Sequence, residues 1–255
     1  MLFVLSGLVV GFVVGLTGVG GGSLMTPILV LLFGVHPATA VGTDLLYAAA
    51  TKSVGTLVHG FKGSVVWRIT GALALGSVPT SLAMVVWLRQ AGPFGPGASA
   101  LITMTLGYAL LLTAAAMVLR KSIQAYAASG AYHLSPAARL ALTVATGVVL
   151  GVLVSLSSVG AGALGVTALI LLYPEMPTSQ IVGSDIAHAV PLALIAGIGH
   201  WLIGSVDFGT LGLLLTGSIP GIVAGSMTAP RLPDYALRMA LAAVLIVVGA
   251  RLVLT

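Results

Sequence analysis

The chain has no cysteine, and only 6% of its 255 residues are charged. The first absence excludes disulfides, thiol catalysis and cysteine-ligated clusters. The second excludes an ordinary soluble domain, which carries about 25% charged residues. With Lys+Arg 10 against Asp+Glu 5 and no basic run, nucleic acid is excluded as a partner. There is no HExxH, no GxSxG elbow and no Walker loop, and the five histidines are dispersed. Nothing therefore points to an enzyme, a resident cofactor or a metal site. The alternating ~10-residue segments of a transmembrane β-barrel are missing too. The opening "MLFVLSGLVVGFVVGLTG" lacks a basic leader and a small-residue cleavage site, and reads as a retained first segment.

What the chain does have is apolar length. Hydrophobic residues make up 58% and mean hydropathy is +1.18. Hydrophobic segments fall at 2–16, 23–34, 38–59, 65–88 and 98–119, then at 136–156, 161–173, 178–203, 208–228 and 235–254. They predict an all-α polytopic membrane protein with the lipid bilayer as its surroundings. The polar stretch "RKSIQAYAASGAYHLSP" divides them. Residues 1–119 form a first transmembrane repeat, 120–135 a linker loop and 136–255 a second repeat. Segments 23–34 and 161–173 reach only about 18–20 Å, short of a ~30 Å hydrocarbon core. Each follows a glycine-rich break.

The two halves are copies. "VGGGSL" at 19–24 matches "VGAGAL" at 159–164, an offset of 140. "VGTDL" at 41–45 matches "VGSDI" at 182–186, and "GSVPTS" at 76–81 matches "GSIPGI" at 217–222, both at 141. His59 falls on His200. Pro79 and Pro220 also match and read as paired kinks. An odd number of crossings per half, or a hairpin plus three crossings, inverts the second copy. Lys62, Arg68, Arg120, Lys121, Arg139, Arg231 and Arg238 then share one side, against Arg89 and Arg251 on the other. The basic side is cytoplasmic by the positive-inside rule, which puts both termini outside. Inverted repeats with discontinuous or re-entrant short helices near the midplane are a plan of secondary transporters.

Several residues invite a functional reading, each beside a plainer one. Gly18, Gly20, Gly21 and Gly22 precede Ser23 and a short helix, whose N-terminal N–H groups favour an anion. Small residues also serve close helix packing. Asp44 and Asp185 lie inside apolar segments and are candidates for proton coupling, or caps at a segment's opening. Thr43 and Ser184 precede them and offer hydroxyls to an oxyanion. His59 and His200, fifteen residues further on, are candidate titrating groups or interfacial anchors. Lys52, matched by Ala193, draws an anion inward or snorkels to the interface. It lies about 12 Å along a helix from Asp44, too far for a direct pair. His188, three residues after Asp185, is placed to hydrogen-bond it on one face. Trp67, Trp87 and Trp201 fit an interfacial belt.

At "GLTGVGGGSLMTP", "AVGTDLLYAAATKSVGTLVHGFKGSVVW" and "GSDIAHAVPLALIAGIGHWLIGSVDFGTLGLLLTGSIPG" the chain resembles the TauE/SafE family of sulfite and organosulfonate exporters. The likeness covers nearly the whole chain. It implies a multi-pass inner-membrane transporter of small sulfur-containing anions, driven by an ion gradient such as that of protons. The family's breaks and Gly-Thr/Ser segments map onto Gly20, Gly21, Gly22, Thr43, Gly160, Gly162 and Ser184. The second break, "SSVGAGALG", has Ala161 and no proline matching Pro27, so the half-sites are not equivalent. The expectation is export of sulfite or a small organosulfonate by alternating access. A passive anion channel, or a proton-linked cation transporter built on Asp44 and Asp185, is the alternative. A homodimer is held open as the assembly.

Overall fold

The computed structural model describes residues 1–17, 22–61, 63–92, 94–129, 134–228 and 234–254. Among them are ten helices: α1 (Leu2–Thr17), α2 (Gly22–Leu31), α3 (Pro37–Phe61), α4 (Trp67–Ala91), α5 (Pro96–Ala128), α6 (Pro136–Ser157), α7 (Ala163–Leu172), α8 (Thr178–Leu202), α9 (Phe208–Thr228) and α10 (Asp234–Leu254). The described residues contain no strand. Helices α4, α5, α6, α8, α9 and α10 are long and apolar enough to cross a membrane. Large apolar side chains such as Leu75, Val86, Leu112, Val149, Ile219 and Val247 stand exposed on their outer faces. That surface suits lipid, which supplies no polar partners and demands none. Trp67, Trp87 and Trp201 are exposed near helix ends.

The linker is shorter than the sequence suggests. Helix α5 runs on through residues 120–128, so most of the expected loop is helical. The physical reason is local: "RKSIQAYAA" holds good helix formers, and no glycine or proline intervenes before Gly130. At 33 residues α5 spans roughly 50 Å, well beyond a ~30 Å hydrocarbon layer. A polar sequence can thus stay helical where the helix has left the lipid.

Helices at matching places in the sequence pair in matching ways. Helices α3 and α8, 25 residues each, pack together at the centre. Leu45 and Ala49 meet Leu192, Ala193 and Ala196 there, with Leu150 and Val154 of α6. Around them, α1 packs against α9 and α6 against α4, while α5 lies along α10. Since α1 corresponds to α6 and α9 to α4, each half lends its first helix to the fourth helix of the other. Glycine makes both contacts possible. A Cβ on Gly217 would overlap the carbonyl of Val4, and one on Gly76 the carbonyl of Val144. Gly7 and Gly147 meet the carbonyls of Leu214 and Leu73 in the same way. These are small-residue interfaces in which backbones touch.

Polar pairs repeat as well. Tyr47 Oη and Ser218 Oγ are 2.5 Å apart, and the equivalent positions, His188 Nε2 and Ser77 Oγ, are 2.8 Å apart. The Val66 N–H donates to Ser184 Oγ at 2.9 Å, and the Asp207 N–H to Thr43 Oγ1 at 3.1 Å. Each half also folds its first two helices into a hairpin. Phe3 stacks on Phe33 with centroids 4.3 Å apart, joining the start of α1 to the end of α2. At the matching place Thr143 Oγ1 lies 2.9 Å from Tyr173 Oη, and Arg139 pairs with Glu175.

Two outcomes test this packing. Gly217→Val forces α1 off α9 and lowers stability by about 2–3 kcal/mol, as overpacking does. Gly71→Ala, on α4 where a Cβ meets nothing within 4 Å, leaves the melting temperature in detergent unchanged or slightly raised. Before α9, the Asp207 carboxylate accepts from the Thr210 N–H at 3.0 Å and the Thr210 hydroxyl at 2.7 Å. These bonds hold its carboxyl below the usual value. A lowered carboxyl stabilises the fold above its unfolded value and stops doing so as pH falls through the folded one. Asp207→Ala therefore costs about 1 kcal/mol at neutral pH, with the difference from wild type closing in acid.

Candidate functional site

The second glycine break sits beside the α3–α8 core. Helix α6 ends at Ser158, which is left-handed at φ 59°, and Gly160 and Gly162 follow at φ 126° and 128°. Only glycine adopts the last two without strain. The turn folds back over α6, bringing Gly160 against Leu150 and Val154, before α7 starts at Ala163. Helix α7 is ten residues long, roughly 15 Å. The first break is described only from α2 onward: Gly22 opens that helix. Gly20 and Gly21 lie outside the described residues, as do the side chains of Ser23 and His59.

Three ionisable side chains converge on the second break. Lys52 Nζ donates to the Ala161 carbonyl at 2.9 Å, crossing from the first half to the second. Asp44 and Asp185, fully buried, both lie within electrostatic reach of that ammonium. Neither makes a direct ion pair with it. The expected 12 Å offset between Lys52 and Asp44 along α3 accounts for the separation. Asp44 Oδ2 accepts from the Thr26 hydroxyl of α2 at 2.5 Å, while the Ser158 hydroxyl lies nearby and Oδ1 lacks a well-formed hydrogen bond among the described residues. Asp185 points at the first turn of α7. A Cβ on Gly165 would collide with its Oδ1, and the Gly162 amide faces it. Both Asp185 oxygens lack a well-formed hydrogen bond among the described residues.

Each aspartate thus reaches the short helix of its own half. Neither caps its own helix: Asp44 and Asp185 stand about two turns inside α3 and α8, because those helices begin at Pro37 and Thr178. The cap reading is corrected accordingly. The hydroxyls of Thr43 and Ser184 are placed elsewhere, where they accept from the backbone N–H groups that lead into α9 and α4. His200 Nε2 bonds the Ser155 carbonyl at 2.9 Å and is buried, so it is no interfacial anchor. His188 turns to Ser77 of α4 instead of to Asp185. A separate crevice of about 490 Å³, lined by Leu112, Val149, Leu164 and Leu172 among others, is almost wholly apolar and offers nothing to an anion.

Sequence reasoning did not find Thr26, Ser77, Ala161 or Gly165. Ser77 and Ser218 carried a signal, since both follow glycine in the matched motifs at 76–81 and 217–222. Thr26 carried one as the hydroxyl beside Pro27. Ala161 acts through its carbonyl, and no side-chain pattern announces that.

The family model for "Sulfite exporter TauE/SafE" matches residues 3–252. The chain belongs to this family. A "Probable membrane transporter protein YjnA" of Bacillus subtilis (strain 168) is 39% identical over 251 residues, covering 98% of each chain. A "Probable membrane transporter protein" of Xylella fastidiosa (strain 9a5c) is 28% identical, over 89% of this chain and 83% of its own. "Probable membrane transporter protein YdhB" of B. subtilis is 27% identical, over 94% and 95%. No solved structure matches. The TauE/SafE chain described here is accordingly a multi-pass membrane protein of a transporter family.

Thr26 is the donor that Asp44 depends on. Thr26→Val leaves a buried carboxyl oxygen unsatisfied and costs about 1–3 kcal/mol, whereas Thr26→Ser restores most of it. Thermal unfolding of the two variants in the same detergent measures the difference.

Proposed function

We infer that this TauE/SafE member is a secondary transporter of small sulfur-containing anions, exporting sulfite or a small organosulfonate across the inner membrane. The observation that carries the reading is Lys52. It is a half-buried lysine whose amino group is held against the break that opens α7, in a chain whose family model is named for sulfite export. A lysine within a spanning helix is expensive and marks a substrate or ion path. The α7 N-terminus adds N–H groups and a partial positive charge. Gly160 and Gly162 let a ligand approach the backbone, and the α2 end with Gly20, Gly21, Gly22 and Ser23 supplies the other half of the site. Thr43 and Ser184 tie α3 and α8 to the loops before α9 and α4.

The proposed topology follows from the two hairpins. Each returns the chain to the side where it started, and three long helices then carry it across. The second half therefore starts from the opposite face, so the repeats are inverted with α2 and α7 re-entrant. Residues 1–119 and 136–255 form the two repeats, and the cytoplasmic side holds Arg68, Arg120, Lys121, Arg139 and Arg238. Both termini lie outside. Alternating access is the rocking of one half against the other about the α3–α8 contact. Proton coupling is assigned to Asp44 and Asp185, with His59 and His200 as further candidates. A homodimer is the proposed assembly.

The cation alternative is less well supported, because the basic group within electrostatic reach of both aspartates, Lys52, would repel a cation. Among the described residues, no three potential metal ligands come together.

Purified protein in proteoliposomes tests the reading. Sulfite or a sulfonate accumulates against its gradient under an imposed pH difference, and a protonophore collapses the accumulation. Passive equilibration would favour a channel, and cation flux without anion flux would overturn the anion reading. Lys52→Gln lowers anion flux at least tenfold, about 1.4 kcal/mol or more of lost binding or barrier lowering.

A further inference from the structure

The charge at the mouth of α7 has an occupant already. Asp185 is fully buried, carries its carboxylate over Gly165, faces the Gly162 amide and has no well-formed hydrogen bond among the described residues. Lys52 supplies a positive charge from the other half, anchored 2.9 Å from the carbonyl of Ala161 in the same turn. An anionic group, a helix N-terminus and an ammonium therefore meet at one place. They are the three components of an anion site, except that the anion is part of the protein. Glycine at 165 is what admits it, since any side chain there would displace the carboxylate.

We propose that the Asp185 carboxylate holds the seat that a substrate anion takes, and that each monovalent anion enters with one proton bound by Asp185. This deepens the transporter reading above and rests on it; outward flux runs when the anion gradient out of the cell exceeds the opposing proton gradient. Two negative charges cannot share the first turn of α7 in a low-dielectric interior without a large cost. When a carboxylate oxygen of Asp185 takes a proton from the side that is open, its charge is cancelled and its claim on the seat ends. The arriving anion then restores the same single negative charge next to Lys52. The seat is isoelectric before and after, so loading carries no net charge into the interior. Proton and anion move together because neither change is tolerated alone.

The surroundings isolate this exchange. Lys52 of α3 is the charged group that acts on Asp185, and Asp44, bonded to Thr26, also lies within electrostatic reach of Lys52. His188, on the same helix as Asp185, is engaged by Ser77 of α4. Helix α7 has no ionisable residue. Arg68 and Arg89 of α4 are exposed, and Arg139 of α6 is paired with Glu175.

The test uses methanesulfonate, a monovalent anion that stays ionised over the whole range, and the full-length protein in detergent. Binding is measured from about pH 6 to about 8.5, with proton uptake followed by an indicator dye in weak buffer. The wild type takes up one proton per anion where Asp185 is ionised, and its affinity falls up to tenfold per pH unit there. Asp185→Asn binds as tightly as the acid-form wild type, with a flat pH profile and no proton uptake. In proteoliposomes the same variant loses its response to a pH gradient and gains one to membrane potential. Anion binding by the wild type without proton uptake would overturn the shared seat and leave the transporter reading standing. Failure to bind methanesulfonate, sulfite or taurine would overturn that reading and this inference with it. If Asp185→Asn does not fold, Asp185→Ser takes its place: anion binding without proton uptake supports Asp185 as the carrier, and retained uptake overturns it.

Discussion

Where α6 stops and α7 begins, the backbone opens beside the α3–α8 core. The carbonyl of Ala161 is taken by Lys52, and the first turn of α7 is met by Asp185. Both partners come from the two central helices, so the interruption is held open by the same pair that forms the core. Irregular backbone survives at membrane depth only when protein or a wet cavity surrounds it. Here Lys52 and Asp185 supply those surroundings. The arrangement of α3 and α8, the length of α7 and the glycines at 160, 162 and 165 all follow from the need to bring those charges to that turn.

Burying a lysine and two carboxylates has a known penalty. Desolvation of each ion costs several kcal/mol, and mutual attraction repays it only in part. The direct pairs that usually repay it are missing here: Lys52 bonds a carbonyl, and each aspartate reaches a short helix. Such a group of charges is poorly optimised for stability. It is well suited to a change of partner, because no member is locked to another by a short ion pair.

The sequence made the architecture readable and left the site only half visible. Ten apolar segments became ten helices with shifts of a few residues at their ends, since apolar length and glycine breaks are strong local signals. The matches at offsets of 140 and 141 reappear as equivalent contacts, down to Tyr47–Ser218 beside His188–Ser77. Lys52, Asp44 and Asp185 stood out because charge is scarce in an apolar helix. Other features depended on three dimensions. The cap reading of the aspartates failed because α3 and α8 begin at Pro37 and Thr178, about two turns before Asp44 and Asp185. The linker was overestimated because polarity does not stop a helix once it has left the lipid. Thr43 and Ser184 sit beside the aspartates in the chain, yet neighbours along a helix point in different directions, and their hydroxyls serve the loops before α9 and α4.

The crosswise pairing of the halves sets an order of assembly. Helix α4 precedes α6 in the chain, so α6 emerges with its partner already made. Helix α1 has no such partner at hand, because α9 begins only at Phe208. At about 5–20 residues per second, the ribosome delivers α9 roughly 10–40 s after α1 has emerged. For that interval the glycine face of α1, with Gly7 and Gly11 bare, is open to whatever the membrane holds. The last-made helices of this chain complete the first.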